Sequence, residues 1–166
     1  MTVTIRPAIV SHASWITANL RPIDHEEAFC QLPADTPSSV LAHWLVMSSD
    51  AFIAFVDDEP VTLFGTSPIN VACYNVFAIG TRQMRRTIPE VTRFLMTEHI
   101  EKRIREGAKT MEARSLASHT QAHAWMRSTG AVQLGKAFPY GRNDEPFVLF
   151  RWTVAGYRAI REKRWS

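Results

Sequence analysis

The chain has 166 residues, 46% of them hydrophobic and 21% charged, enough for one domain with a real core and not the composition of a disordered chain. No apolar run approaches the about 20 residues that cross a bilayer, and residues Met1 to Pro7 lack the apolar stretch of a secretory signal. Two cysteines are too few for a disulfide framework, which points to a reduced compartment, and a net charge of +3 falls short of a nucleic-acid signature.

Thr2 to Ile5 alternates as a strand, and Ile16 and Leu20 lie four apart on a helix that begins near Ser11. Asp24 before His25-Glu26-Glu27 predicts an N-cap with acids in the first turn. Thr36-Pro37 offers a cap and a proline at the first helical position, and Val40, Leu41, Trp44, Leu45 and Met47 form the apolar face of that helix, with Trp44 expected in the core. Ala51 to Val56 and Val61 to Phe64 flank the turn cluster Asp57-Asp58-Glu59-Pro60, a hairpin that Ser67-Pro68 closes. Val71 to Ile79 is a long strand ending at Gly80.

Thr87-Ile88-Pro89-Glu90 is a capping box opening a long helix. Ile88, Val91, Leu95 and Met96, Ile100, Ile104 are its apolar rows, Lys102, Arg103 and Arg105 fill its last turn, and Gly107 ends it. Thr110 to Leu116 is a short strand. Ser118-His119-Thr120-Gln121 is a second capping box, before a helix with Ala122, Trp125 and Met126 on one side that Gly130 stops. Phe138-Pro139-Tyr140-Gly141 is a turn and Phe147 to Val154 the last strand. The order predicts an α/β (α+β) fold. One domain, residues 1–153, holds a mixed, mostly antiparallel sheet flanked by helices, and residues 154–166 form a basic C-terminal tail. The absence of G-x-G-x-x-G and of G-x-x-x-x-G-K-[ST] argues against a doubly wound nucleotide-binding sheet.

This order of elements resembles that of the GNAT superfamily of N-acetyltransferases over roughly the first 150 residues. In that family the loop after the long strand reads Q/R-x-x-G-x-G/A, and its glycines let backbone amides reach the pyrophosphate of acetyl-CoA. Read from Gln83, the glycine positions here hold Arg86 and Ile88; read from Arg82, they hold Arg85 and Thr87. Pro89 removes one further amide. The second family motif, N-x-x-A-x-x-x-Y-x-x-x-G-F, aligns on Gly130: Ala122 matches, but His119 replaces the Asn, Ala131 the Phe, and Met126 the Tyr that serves the family as proton donor.

The sequence is also similar to a group of GNAT-like proteins of short-tailed bacteriophages that includes the internal virion protein A family. The shared residues are Phe77-Ala78-Ile79-Gly80-Thr81, then Ala122, Trp125, Met126 and Gly130, then Pro139 and Gly141 followed by Phe147 and Phe150; the likeness reaches about Trp152. It implies a protein made in the bacterial host cytoplasm and used in the virion or its assembly, where a degenerate, non-catalytic acetyltransferase fold binds portal, tail-adaptor or core proteins and needs no cofactor. The alternative is an acyl-CoA-dependent N-acetyltransferase with an atypical pyrophosphate loop.

The candidate residues divide in the same way. Arg82, Arg85 and Arg86, with Thr87, are the candidates for a phosphate or acidic-partner contact, or for acetyl-CoA if it binds; the alternative is a solvated loop. His119 and His123, at i and i+4, lack a Glu between them and a third ligand, and read as a surface pair beside a helix cap. Glu112 and His99 are candidates for a general base with no partner visible in sequence, and Cys73 reads as a packing residue. In the tail, Arg158, Arg161, Lys163 and Arg164 alternate with Tyr157, Ile160 and Trp165, against one acid, Glu162. Arg158, Arg161, Arg164 and Trp165 are the expected partner contact, to an acidic protein surface or, less expected, to DNA, the alternative being a frayed terminus. Deleting residues after Ala155 is expected to leave the domain folded and to lower incorporation into particles. Acetyl-CoA is expected not to bind at micromolar concentration.

Overall fold

Seven strands form the sheet of the computed structural model, which describes residues 1–165. They are β1 (Val3–Pro7), β2 (Asp50–Val56), β3 (Glu59–Asn70), β4 (Cys73–Gly80), β5 (Thr110–Leu116), β6 (Val132–Pro139) and β7 (Pro146–Thr153). They are ordered β1-β2-β3-β4-β5-β7-β6. The pairs β1/β2, β2/β3, β5/β7 and β6/β7 are antiparallel, and Cys73–Asn75 of β4 runs parallel to Thr110–Glu112 of β5. The helices are α1 (Val10–Ala18), α2 (Pro22–Phe29), α3 (Ser38–Ser48), α4 (Ile88–Phe94), α5 (Ile100–Arg105), α6 (Thr120–Ser128) and α7 (Val154–Trp165). The mixed, mostly antiparallel sheet with β4 at its centre is the architecture expected from sequence. Among the described residues no helix is long and apolar enough to cross a membrane.

The chain forms two compact units, the first comprising Met1–Ser67 and Val76–Val91, the second Pro68–Asn75 and the residues from Thr92 onward. The first is built on the β2–β3 hairpin. Asp57 and Asp58 turn it with φ of 47° and 65°, the left-handed pair that matches the twist of a two-residue hairpin. Against β2 and β3 pack Ala13 and Ile16 of α1 and Leu41, Ala42 and Leu45 of α3, on Ala51, Ile53, Phe55 and Leu63. The Thr17 hydroxyl donates to the Ser38 carbonyl (2.8 Å) and ties α1 to the start of α3. Only one row of α3 reaches this core. Val40, Trp44 and Met47 face solvent, with Trp44 57% exposed, so the placement of Trp44 in the core is corrected. α2 starts at Pro22 rather than after Asp24, because proline is already set for the first helical position and Asp24 is drawn inward.

The second unit departs further from the sequence reading. β6 was missed, since Gly135 (φ 71°) breaks its alternation with a register shift between Leu134 and Phe138. Phe138 and Pro139, expected in a turn, end that strand; the turn follows at Gly141 to Asp144. The long helix is also interrupted: Leu95–His99, between α4 and α5, is wound as a π-helix. Residues 154–165, expected as a tail, are helix α7, and Ser166 lies outside the described residues. Tyr157 of α7 is 1% exposed, and its hydroxyl donates to the Met96 carbonyl of the π segment at 2.5 Å, with Glu101 Oε2 at 3.3 Å. π-Winding alters the regular i→i+4 ladder, and this phenol binds a carbonyl of the altered turn. Gly130 (φ 98°) leaves room for α7: a Cβ there would lie 3.1 Å from Ile160. The residues after Ala155 are therefore packed on the second unit through Tyr157 and Ile160.

Candidate functional site

In the first unit the end of β4 is fixed before the loop begins. Gly80 donates its N–H to Asp24 Oδ2 (2.8 Å), and its carbonyl accepts from the Arg21 N–H (3.0 Å). The same carboxylate oxygen accepts from Arg21 Nε (2.9 Å), and Asp24 is 1% exposed. Both backbone groups of the last strand residue are thus held by the start of α2.

The loop itself is a tight 3-10 turn, Met84–Arg86, leading into α4. Several of its amides are engaged by nearby carbonyls and a hydroxyl. Thr81 N–H donates to Val61 O (2.9 Å), Met84 N–H to Thr81 O (3.0 Å), Arg86 N–H to Gln83 O (2.9 Å), and Thr87 N–H to Met84 O (2.9 Å). Gln83 N–H reaches Thr81 Oγ1 at 3.3 Å. A backbone cradle for pyrophosphate needs such amides turned outward. Met84 is buried and fills the space over Gly80, where a Cβ would stand 2.8 Å from its Cβ and Sδ. Gly80→Ala is therefore expected to lower stability by about 1–3 kcal/mol through overpacking. Urea denaturation should show that loss shrinking by more than half in a Met84→Ala background.

Thr87 precedes α4, and its carbonyl accepts from the Val91 N–H (2.9 Å). It is fully buried, and its hydroxyl donates to Met84 O (2.8 Å) and lies 2.7 Å from the Thr62 hydroxyl. As a candidate contact for acetyl-CoA it is corrected: its side chain is an internal brace of the turn. Arg82, Arg85 and Arg86 are exposed, as a solvated or anion-facing loop requires. Arg86 Nη1 donates to Gln83 Oε1 (3.2 Å), and Gln83 Nε2 donates to Glu59 Oε2 (3.1 Å). What this loop presents is guanidinium side chains, which bind anions by fork geometry.

In the second unit the family's motif positions are filled by packing residues. Met126 and Ala131 are buried. His119 and His123 are buried too, not a surface pair; His123 Nε2 lies 2.9 Å from Leu116 O, an engagement that competes with any metal for that nitrogen. Thr120 starts α6 with His119 as its cap and no side-chain cap bond, so the second capping box is also corrected. Glu112 has a partner that sequence could not show: it faces Arg151 across the β5/β7 pair and accepts from its guanidinium. His99 is buried in the π segment with its ring stacked on Phe94, and Cys73 is buried at the start of β4. Trp125 donates Nε1–H to Thr92 Oγ1 at 2.8 Å.

The expected partner contacts lie on α7. Arg158 approaches Glu101 at 3.8 Å with 58% of its side chain exposed. Arg164 donates to Ser128 O (3.3 Å) and sits over the Trp165 ring at 4.4 Å. Arg161 Nε is buried. The four residues thus occur on one ordered helix, with part of their hydrogen-bonding capacity used inside the unit. The spacing Tyr157-Ile160-Arg161-Arg164 was the helical signal in the sequence.

No protein-family model matches the sequence, and no curated protein matches it. Solved structures do. The ribosomal-protein-S18-alanine N-acetyltransferase of Escherichia coli superposes with a TM-score of 0.66 at 13% identity, over 92% of this chain and 94% of that one. The ribosomal-protein-alanine N-acetyltransferase of Brucella melitensis gives 0.68 at 16%, over 91% and 99%. A GNAT superfamily phosphinothricin acetyltransferase of Sinorhizobium meliloti, solved in complex with AcCoA, gives 0.67 at 15%, over 92% and 89%. The chain has the GNAT N-acetyltransferase fold. At these identities the fold is what is shared.

Proposed function

We propose that this chain uses the GNAT fold as a binding scaffold rather than to transfer an acyl group, and that its setting is a bacteriophage virion or its assembly, with portal, adaptor or core proteins as partners. The observation that carries the first part is the loop after β4, where the amides of Gln83, Met84, Arg86 and Thr87 bond within the turn and buried Met84 closes its centre. Buried Met126 where the family has its proton-donating tyrosine supports it. The phage setting rests on the sequence motifs that resemble internal virion protein A.

A second reading is an acyl-CoA-dependent N-acetyltransferase with an atypical loop. The comparisons favour it over a virion role, since the neighbours are described as acetyltransferases, one of them with AcCoA bound. Here Arg82, Arg85 and Arg86 would hold the pyrophosphate with side chains in place of amides. Calorimetric titration with acetyl-CoA separates the two. The scaffold reading expects no saturable heat at about 10 μM, an affinity of roughly −7 kcal/mol. Saturable binding that the Arg82→Ala/Arg85→Ala double variant weakens tenfold or more would establish the second reading.

A further inference from the structure

In the first unit α1 and α3 pack side by side, and exposed apolar side chains stand on both helices and at Ile9 before α1. Ile9, Trp15, Val40, Trp44 and Met47 are each about half exposed or more, Met47 reaching 69%. Val40, Trp44 and Met47 recur at i, i+4 and i+7, the stripe of α3 that does not enter the core. Neither helix contains an Asp, Glu, Lys or Arg; Ser11, Ser14, Ser39 and His43 lie among the apolar residues. Five such side chains, two of them tryptophan, expose roughly 500 Å² of apolar surface, the upper end of what a monomer leaves open.

We propose that this face docks a second copy of the same chain, with α1 and α3 of each protomer meeting about a two-fold axis. A two-fold contact sets a patch against itself, so the patch must be its own complement. An uncharged apolar face satisfies that condition. It also lets two chains, each carrying +3, meet without opposing like charges. A partner with an acidic or basic docking surface would find no counter-charge on these helices. Trp15 and Trp44 are the large rigid anchors that dominate interface energetics. With the serine and histidine atoms between them, the patch approaches the about 800 Å² per partner of a standard interface.

Sedimentation equilibrium on the full chain tests this. At about 100 μM, far above a micromolar Kd, the wild type is expected to be dimeric. Trp44→Glu and, separately, Trp15→Lys are expected to weaken association at least tenfold, with far-UV circular dichroism and thermal midpoint unchanged because both side chains are exposed. Should either variant fail to fold, Val40→Lys gives the same readout on a smaller side chain. A monomeric wild type overturns the proposal, including one that associates only with a different protein. A dimer that persists in the folded variants overturns it as well.

Discussion

Tyr157→Ala is expected to destabilise the protein by about 3–5 kcal/mol, the range for removing a large buried ring. The side chain is almost fully enclosed, and its hydroxyl binds the π segment through the Met96 carbonyl. Tyr157→Phe keeps the ring and leaves that carbonyl without its donor, so about 1–2 kcal/mol should be lost. Truncation after Ala155 removes the ring together with the rest of α7 and should exceed either point change. Urea denaturation followed by circular dichroism gives the order. An intact midpoint in the truncated chain would show that α7 contributes nothing to the second unit.

The same phenol carries a pH dependence. Burial first, then the neighbouring Glu101 carboxylate, pushes the Tyr157 pKa from 10.0 up to about 12. The folded state therefore holds a proton that the unfolded state releases above pH 10. Stability from this group is complete below about pH 10 and is lost as pH rises toward about 12. Tyr157→Phe should flatten that part of the profile, which alkaline denaturation of the two proteins side by side would reveal.

The second large effect belongs to Asp24. Replacing it with Ala is expected to cost about 3 kcal/mol, because the Gly80 amide loses its acceptor and Arg21 loses its partner together. Asp24→Asn keeps an acceptor oxygen in place but not the charge, and should cost about 1–2 kcal/mol. Hydrogen exchange at the Gly80 amide would report the loss directly: exchange accelerated in Asp24→Ala, and less so in Asp24→Asn. Equal exchange in all three proteins would mean the carboxylate does not hold the end of β4.

These two residues also mark where the sequence could be read and where it could not. The hairpin at Asp57-Asp58 was visible because alternation and turn residues agree locally. Asp24 looked like a cap because acids before a helix usually are; its real acceptor role depends on Gly80, 56 positions away. At Thr87 the capping-box pattern is local, whereas the contacts of its hydroxyl with Thr62 and the Met84 carbonyl depend on the fold. On α3 the periodicity contained two apolar rows, Leu41-Leu45 and Val40-Trp44-Met47, and nothing local says which one meets α1 and β2. β6 was hidden by the glycine that bends it. The departure of the loop after β4 from the GNAT glycine pattern, by contrast, was legible residue by residue, since missing glycines leave a direct trace in the sequence. That the amides of Gln83, Met84, Arg86 and Thr87 bond within the turn was not.

The position of β7 between β5 and β6 has a consequence for synthesis. β6 leaves the ribosome before β7, yet its described partner in the sheet is β7. Until residues 146–153 emerge, a nascent chain carries β6 with no strand to pair with, and Tyr157 follows later still. The hairpin of the first unit, by contrast, has both its strands by Asn70. Vectorial synthesis therefore completes that hairpin early and leaves β6 unpaired while the about 14 residues from Pro139 to Thr153 are added, roughly one to three seconds at about 5–20 residues per second.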